Sequence, residues 1–290
     1  MRIAHLIIAH KGPMQLARLI TRLQHPQSDI YIHIDKKVDI APFRSLNSLQ
    51  NVFFVEKRVK VNWGGNSTLM AMVQSVQEIT AAKQKYDFIN LLSGQDYPLK
   101  NAENMFEFFQ QHSGYNFISY DECSGSEWWQ AAAARYQHYH FTDIDIKGKY
   151  AFQGIINRIM PRRNFPQNLH LHGGHKSAWW TLSGECATYV VRELSENRRL
   201  LKFLKYCWGT DEFAIATLIM NSEFRLKTIN NNYRYIDWSE GNPHPKLLTR
   251  ADVPELSKDN MLFARKFDTK IDSTVLDWID SNLLAKRQKL

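Results

Sequence analysis

The sequence predicts an α/β protein with a mostly parallel central sheet flanked by helices. Two observations carry that prediction. Apolar runs of strand length alternate with stretches of helical periodicity through the first third of the chain. Polar and turn-forming residues follow those runs, at Asp35-Lys36-Lys37 and at Ser93-Gly94-Gln95-Asp96-Tyr97-Pro98.

Ile3 to Ala9 reads as a first strand, apolar enough to be buried on both faces. Leu16, Leu19, Ile20 and Leu23 then recur at helical spacing. Residues 29–35 form a second β-rich run that ends in the carboxylate of Asp35, and residues 51–55 a third. Asn66-Ser67-Thr68 is suited to capping a helix whose Leu69, Met72, Val73, Val76 and Ile79 share one face. Residues 88–92 make a fourth strand. Strand, helix, strand in this rhythm means right-handed crossovers. Ligands of such sheets bind at the carboxyl ends of the strands. His10-Lys11-Gly12-Pro13, Asp35 and the Ser93–Pro98 turn therefore converge on one crevice. The middle of the chain, residues 121–180, is rich in tryptophan and histidine and reads as loops and short elements lining a cleft. A helix is predicted from Asp211 to Ile219 with Thr210 as its N-cap, and another starts near Asp272-Ser273-Thr274.

The chain has 290 residues, 44 % hydrophobic and 23 % charged, which excludes a disordered chain or a fibre. Its formal net charge of +8 favours anionic ligands without naming one. The three cysteines, Cys123, Cys186 and Cys207, have no CxxC spacing, so a reducing compartment is expected. The N-terminal apolar stretch is too short for a signal peptide or a span. The basic pair Arg162-Arg163, with Lys202, Lys205 and the stretch Lys286–Lys289, suggests peripheral contact with a membrane.

No GxGxxG follows the first strand, and no P-loop or GxSxG elbow occurs. Asp143-Ile144-Asp145 is a D-x-D triplet, a pattern that holds a divalent metal in many sugar-nucleotide transferases. It also suits a plain surface turn. His138, His140, His170, His172 and His175 lack the spacing of a helical zinc pair. Asp211 and Glu212 point about 100° apart if they open a helix, so one can orient while the other faces a cleft. Trp208 and Phe213 would desolvate that carboxylate and raise its pKa toward a general base's range. In residues 262–268, Arg265 and Lys266 diverge if the segment is a strand; one is free to pair with Asp268 while the other enters a site.

Five separated segments together resemble the core-2/I-branching enzyme family of β-1,6-N-acetylglucosaminyltransferases and peptide O-xylosyltransferases. They are Ile7–Lys11, Ile32–Lys37, Val61–Ser67, Asn90–Lys100 and Leu262–Asp268, with Ser177–Trp180 and Asp211-Glu212 between them in the right order. The resemblance implies a GT-A-type glycosyltransferase with a Rossmann-like sheet. It implies one domain over residues 1–290, with residues 1–120 as the nucleotide-sugar half and 121–290 as the acceptor-binding and catalytic half. It implies inversion at the anomeric carbon of a UDP-sugar, N-acetylglucosamine or xylose, with no metal or other cofactor. By motif position Glu212 is the expected base and Lys266 the diphosphate-binding cation. His10, Asp35, Trp63 and Gly64 border the nucleotide, with Asp35 at the uridine or ribose. Asp96, Trp180 and Asp211 are the expected sugar or acceptor contacts. The family's upstream arginine is missing, and His244, Lys246 or Arg250 stands in for it.

The chain begins at its first catalytic strand, without the anchor, stem and cysteines of the animal enzymes. The expectation is a bacterial cytoplasmic transferase for surface polysaccharide, working on a glycan or lipid-linked glycan, peripheral at the inner membrane. Nucleic acid is not an expected partner, since no motif for it is present. The rival reading is a non-catalytic glycan- or polyanion-binding protein that keeps the fold.

Overall fold

The computed structural model describes residues 1–285 except 125, 167, 259 and 260. The first half runs β1 (Ile3–Ala9), α1 (Pro13–Leu23), β2 (Ser28–Ile34), β3 (Val52–Phe54), α2 (Asn66–Ala81), β4 (Phe88–Ser93), β5 (Asp96–Pro98), α3 (Ala102–Gln111) and β6 (Asn116–Ile118). Short elements follow: β7 (Asp121–Glu122), α4 (Glu127–Ala132), α5 (Ala134–Gln137), α6 (Lys149–Ile159) and β8 (His172–Gly173). The rest comprises β9 (Trp180–Ser183), α7 (Gly184–Glu196), α8 (Arg198–Leu204), α9 (Ala214–Met220), β10 (Thr228–Ile229), β11 (Arg234–Ile236), α10 (Val253–Leu256), β12 (Phe263–Arg265) and α11 (Thr274–Ile279).

A seven-stranded sheet in the order β10-β6-β9-β4-β1-β2-β3 forms the middle layer. Its strands run parallel except β9, which is antiparallel to both β4 and β6. β9 and β10 come from the second half of the chain, so both halves share one sheet. The alternation of side chains along a strand fixes the layers. On β1, Ala4 and Leu6 pack with α2, α7 and α9, while Ile3, Ile7 and Ala9 pack with α1, α3 and α11. Ile89 and Leu91 of β4 face the first group, Phe88 and Leu92 the second. This is why both strands read as apolar runs: each is covered on both faces.

One polar seam crosses that apolar sheet. The Asn90 amide oxygen accepts bonds from Thr181 Oγ1 at 2.8 Å and Arg234 Nη2 at 2.6 Å, and its nitrogen meets His5 Nδ1 at 2.9 Å. Arg234 also donates to the carbonyls of Leu91 and Trp180. The seam ties β1, β4 and β9 to β11 of the small sheet β11-β12-β5. Burial lowers the Arg234 pKa to about 9 and that of His5 to about 3.

Two caps differ from the sequence reading. α2 starts after Gly65, and neither Asn66, Ser67 nor Thr68 is its N-cap. Distant Asp143 supplies the cap instead, accepting from Ser67 N at 2.9 Å and Ser67 Oγ at 2.5 Å. The predicted helix from Asp211 is a 3₁₀ turn, Thr210–Glu212, and α9 begins only at Ala214. Gly209 has φ 62°, Phe213 breaks the helical path at φ −143°, and the Thr210 hydroxyl bonds Asn66. Tertiary bonds therefore set this turn, and a local capping pattern does not reveal them.

Candidate active site

Parallel pairing brings the ends of β1, β2 and β4 together. Asp35 N donates to Ala9 O and Gly94 N to Ile8 O, so the three loops leave the sheet side by side. Asp35 is buried and accepts from the amides of Lys37 at 2.9 Å and Val61 at 3.2 Å. Its other oxygen lies 3.8 Å from Lys37 Nζ. His10 sits beside it on the exposed rim. Partial burial of the ring, then the Lys11 charge, lowers the His10 pKa; Lys37 and Lys266 push the same way.

β12 delivers Lys266 to this crevice. Phe267 is buried behind it, and its backbone exchanges bonds with Gln95 while Gln15 reaches its carbonyl. Lys11 bonds Asp268 at 2.7 Å, which fixes a second cation next to Lys266. Partial burial, Arg265 and Lys11 all lower the Lys266 pKa. Lys11, Lys37 and Lys266 outnumber the carboxylates Asp35 and Asp268 among them, a local excess of positive charge that suits an anion.

Arg265, the last residue of β12, makes different partners from Lys266, which follows the strand. Its Nε donates to Asp96 at 3.0 Å, and its guanidinium lies 3.8 Å from the centre of the Trp179 ring. Its charge also bears on Asp211. Arg265-Lys266 thus joins the cationic crevice to a pair of carboxylates.

Those carboxylates are Asp211 and Glu212. Burial raises the pKa of both. Arg135 forms an ion pair with Glu212 and opposes the rise. Arg135 is itself clamped between aromatic rings, 4.4 Å from the Trp208 ring centre and 5.0 Å from that of Trp128. His175 lies tilted against Trp238 at 4.9 Å and meets Trp128 edge-on. The turn Trp63-Gly64-Gly65 closes this wall. Gly64 O accepts from Gly209 N at 2.8 Å, and a side chain at Gly64, with φ 72°, would strike the Trp208 indole. Trp63 is exposed and packs edge-on against Trp208. A raised carboxyl group in an aromatic cleft, beside an anion-binding edge, can take a proton from a hydroxyl while a leaving phosphate is neutralised.

Several expected contacts are corrected by the coordinates. Trp180 is 2 % exposed and packs in the core of β9, because its neighbour alternates outward. Trp179 is the ring that meets Arg265. Asp96 is 1 % exposed, and its oxygens are taken by Ser93 and Arg265, so it acts on the cleft only through Arg265. Lys246 is spent on Asp252 at 2.5 Å and Asp237 at 3.9 Å. Arg250 lies over Trp278 at 5.1 Å, and His244 is exposed with its Nδ1 at its own chain's Pro245 carbonyl. Among the described residues none of the three side chains shares a hydrogen bond or ion pair with Lys266. Asp268 pairs with Lys11, and neither Arg265 nor Lys266 takes it. Asp143 of the D-x-D triplet is the α2 cap, and Asp145 pairs with Lys60 at 2.7 Å. Arg163 is structural, donating to the carbonyls of His138, Phe203 and Tyr206. Lys286–Lys289 lies outside the described residues. Sequence reasoning missed Arg135, one of seven cations in the tryptophan- and histidine-rich segment 121–180 and set apart only by its place between Trp128-Trp129 and the first histidines, and it missed Lys11 as a neighbour of Lys266.

Comparison with known proteins supplies the family. The model of the Core-2/I-Branching enzyme family matches residues 3–261, ending just before Lys266. The chain is 26 % identical to "Xylosyltransferase oxt" of Drosophila pseudoobscura pseudoobscura, over 95 % of this chain and 32 % of the fly protein. It is 24 % identical to "Beta-1,3-galactosyl-O-glycosyl-glycoprotein beta-1,6-N-acetylglucosaminyltransferase 4" of Danio rerio, over 98 % of this chain and 70 % of the fish protein. The chain thus spans about a third of the length of the fly relative. Mouse "Xyloside xylosyltransferase 1" aligns structurally at a TM-score of 0.40 and 12 % identity, covering 90 % of this chain and 97 % of the mouse chain.

Proposed function

The chain belongs to the Core-2/I-branching enzyme family, and on that premise we propose that it transfers a sugar from a UDP-sugar to a glycan hydroxyl. The donor sugar is N-acetylglucosamine or xylose, the two sugars in the names of its relatives. The observation that carries the reading is the burial-raised Glu212 carboxyl in an aromatic cleft that adjoins the Lys266 cluster through Arg265.

The reaction is a single inverting displacement. Glu212 takes the proton of the acceptor hydroxyl as that oxygen bonds to the anomeric carbon. The bond from that carbon to the UDP oxygen breaks, and the electron pair leaves with the diphosphate. Lys266, with Lys11 beside it, neutralises the charge that develops there, in place of a metal. Asp35 holds the uridine or ribose, and His10 and the Trp63-Gly64 turn border it. Trp179 and Trp63 offer ring faces to sugar C–H surfaces. Residues 1–120 chiefly hold the donor and 121–290 the acceptor and the base. The biological setting is bacterial surface-polysaccharide assembly in the cytoplasm.

Screening UDP-N-acetylglucosamine and UDP-xylose for binding and slow hydrolysis tests the reading. One of them should bind and turn over, with EDTA leaving the rate in place. Failure of every UDP-sugar to bind would sink the proposal, and a strict Mn²⁺ requirement would overturn its metal-free form.

A further inference from the structure

α6 is built inside out. Its polar side chains hold it to the protein: Gln153 Oε1 accepts from Phe141 N at 2.8 Å, Asn157 exchanges two bonds with the Tyr139 backbone, and Lys149 Nζ reaches Thr142 O at 2.9 Å. Much of its apolar surface faces away, although Phe152 also stacks on Phe141 at 5.6 Å. Phe152, Ile155 and Ile159 are 51 %, 58 % and 68 % exposed and lie at i, i+3 and i+7, one stripe of the helix. Ile146 before the helix and Met160 after it are exposed as well. An ordinary surface helix buries this stripe and shows its amides to water.

Charge within the helix and its C-terminal flank has one sign, and the nearest exposed carboxylate, Asp145 before Ile146, is paired with Lys60 at 2.7 Å. Residues 146–163 hold five Lys and Arg and no Asp or Glu. Lys149 and Arg163 are engaged inward, which leaves Lys147, Arg158 and Arg162 exposed around the apolar stripe. No helix among the described residues is long and apolar enough to cross a membrane. We propose that α6 docks the protein on an anionic lipid surface, its apolar stripe entering the headgroup boundary and its cations meeting lipid phosphates. An apolar stripe rimmed by cations is the pattern of an interfacial helix. A second copy of this chain is the poorer occupant, since it would set the same cations face to face. The segment that anchors α6 lies between Arg135, at Glu212, and Asp143, at the Trp63 turn. Docking through α6 would therefore set the cleft beside the lipid surface. The proposal does not depend on the sugar-transfer reading.

Vesicle co-sedimentation tests it on the full chain. Wild type should bind phosphatidylcholine–phosphatidylglycerol vesicles, bind phosphatidylcholine vesicles weakly, and release as salt rises. A Phe152→Ser/Ile155→Ser/Ile159→Ser variant and a Lys147→Glu/Arg158→Glu/Arg162→Glu variant should each lose binding by about tenfold or more. Circular dichroism checks that each is folded, and a single Ile159→Ser variant, expected to weaken binding less, covers a failure of the triple. No binding by wild type, equal binding to neutral vesicles, or binding kept by the folded serine variants would overturn the proposal. So would a self-associated species that forms without vesicles and disappears in those variants, which would identify a second copy as the occupant.

Discussion

Arg135 sets how acidic Glu212 is. Burial raises the carboxyl pKa and the guanidinium pulls it back down. A base must be ionised to accept a proton, so activity is lost as pH falls through that raised pKa. Replacing Arg135 by Met keeps most of the side-chain volume between Trp128 and Trp208 but removes the opposing charge. The acid limb of kcat/KM should then move to higher pH, while Arg135→Lys should hold it near its original position. A limb that stays put in Arg135→Met would remove Arg135 from this positioning role. Lys266→Ala should weaken UDP binding about tenfold or more, the scale of one lost charge-assisted contact, read by calorimetry. Unchanged affinity would take Lys266 out of the diphosphate site. At this scale the sequence was partly legible. Adjacent acids flanked by Trp208 and Phe213 mark the pair Asp211-Glu212 in the sequence, and only the family resemblance chooses Glu212 between them. Trp179 and Trp180 cannot be told apart until the strand register is known, because alternation sends one inward and one outward and either order fits.

The elements carry a prediction at the head of α2. Asp143 accepts from the Ser67 amide and hydroxyl and from the Asn62 side chain, so it caps α2 and closes the Trp63 turn. Asp143→Ala should cost roughly 1–2 kcal/mol of stability, as loss of a helix cap does, seen in a denaturant titration as a lower midpoint. It should also loosen the turn that packs on Trp208. A loss no larger than that of a surface aspartate would contradict the capping role. β1, β2, α2 and β4 stand in the sequence because each is long and strongly patterned for burial, while the three-residue β3 is marked only by its Val52-Phe53-Phe54 run. The cap of α2 does not, because its donor and acceptor are 76 residues apart. The same holds for the turn before α9. Thr210 has the residue type of an N-cap, yet its hydroxyl is drawn to Asn66 by tertiary packing.

The whole molecule brings strand ends of its large and small sheets to one crevice. The carboxyl ends of β1, β2 and β4 gather His10, Lys11 and Asp35, while β12 runs against β5 and brings Arg265 and Lys266 to the same crevice. The buried Arg234 seam, which joins the large sheet to the small one, holds those edges in register. The rhythm of strands and helices makes the first half of that crevice readable in advance. The second half depends on short strands and on the path of the 121–180 segment, which has no periodicity to read. There the reading rests on the order of motifs and not on local pattern. The net charge of +8 proves to be a coarse guide. Lys246 and Arg163 are structural, Lys11 and Lys266 line the crevice, and three cations rim the exposed stripe of α6.

The central claim is that Glu212 is the base of a sugar transfer. The most direct test measures transfer rate and UDP affinity together for Glu212→Gln, with the UDP-sugar that wild type accepts. The rate should fall by about a hundredfold to ten-thousandfold, the usual contribution of a general base, while UDP binds as in wild type. Retained transfer, or equal loss of rate and of UDP binding, would contradict it.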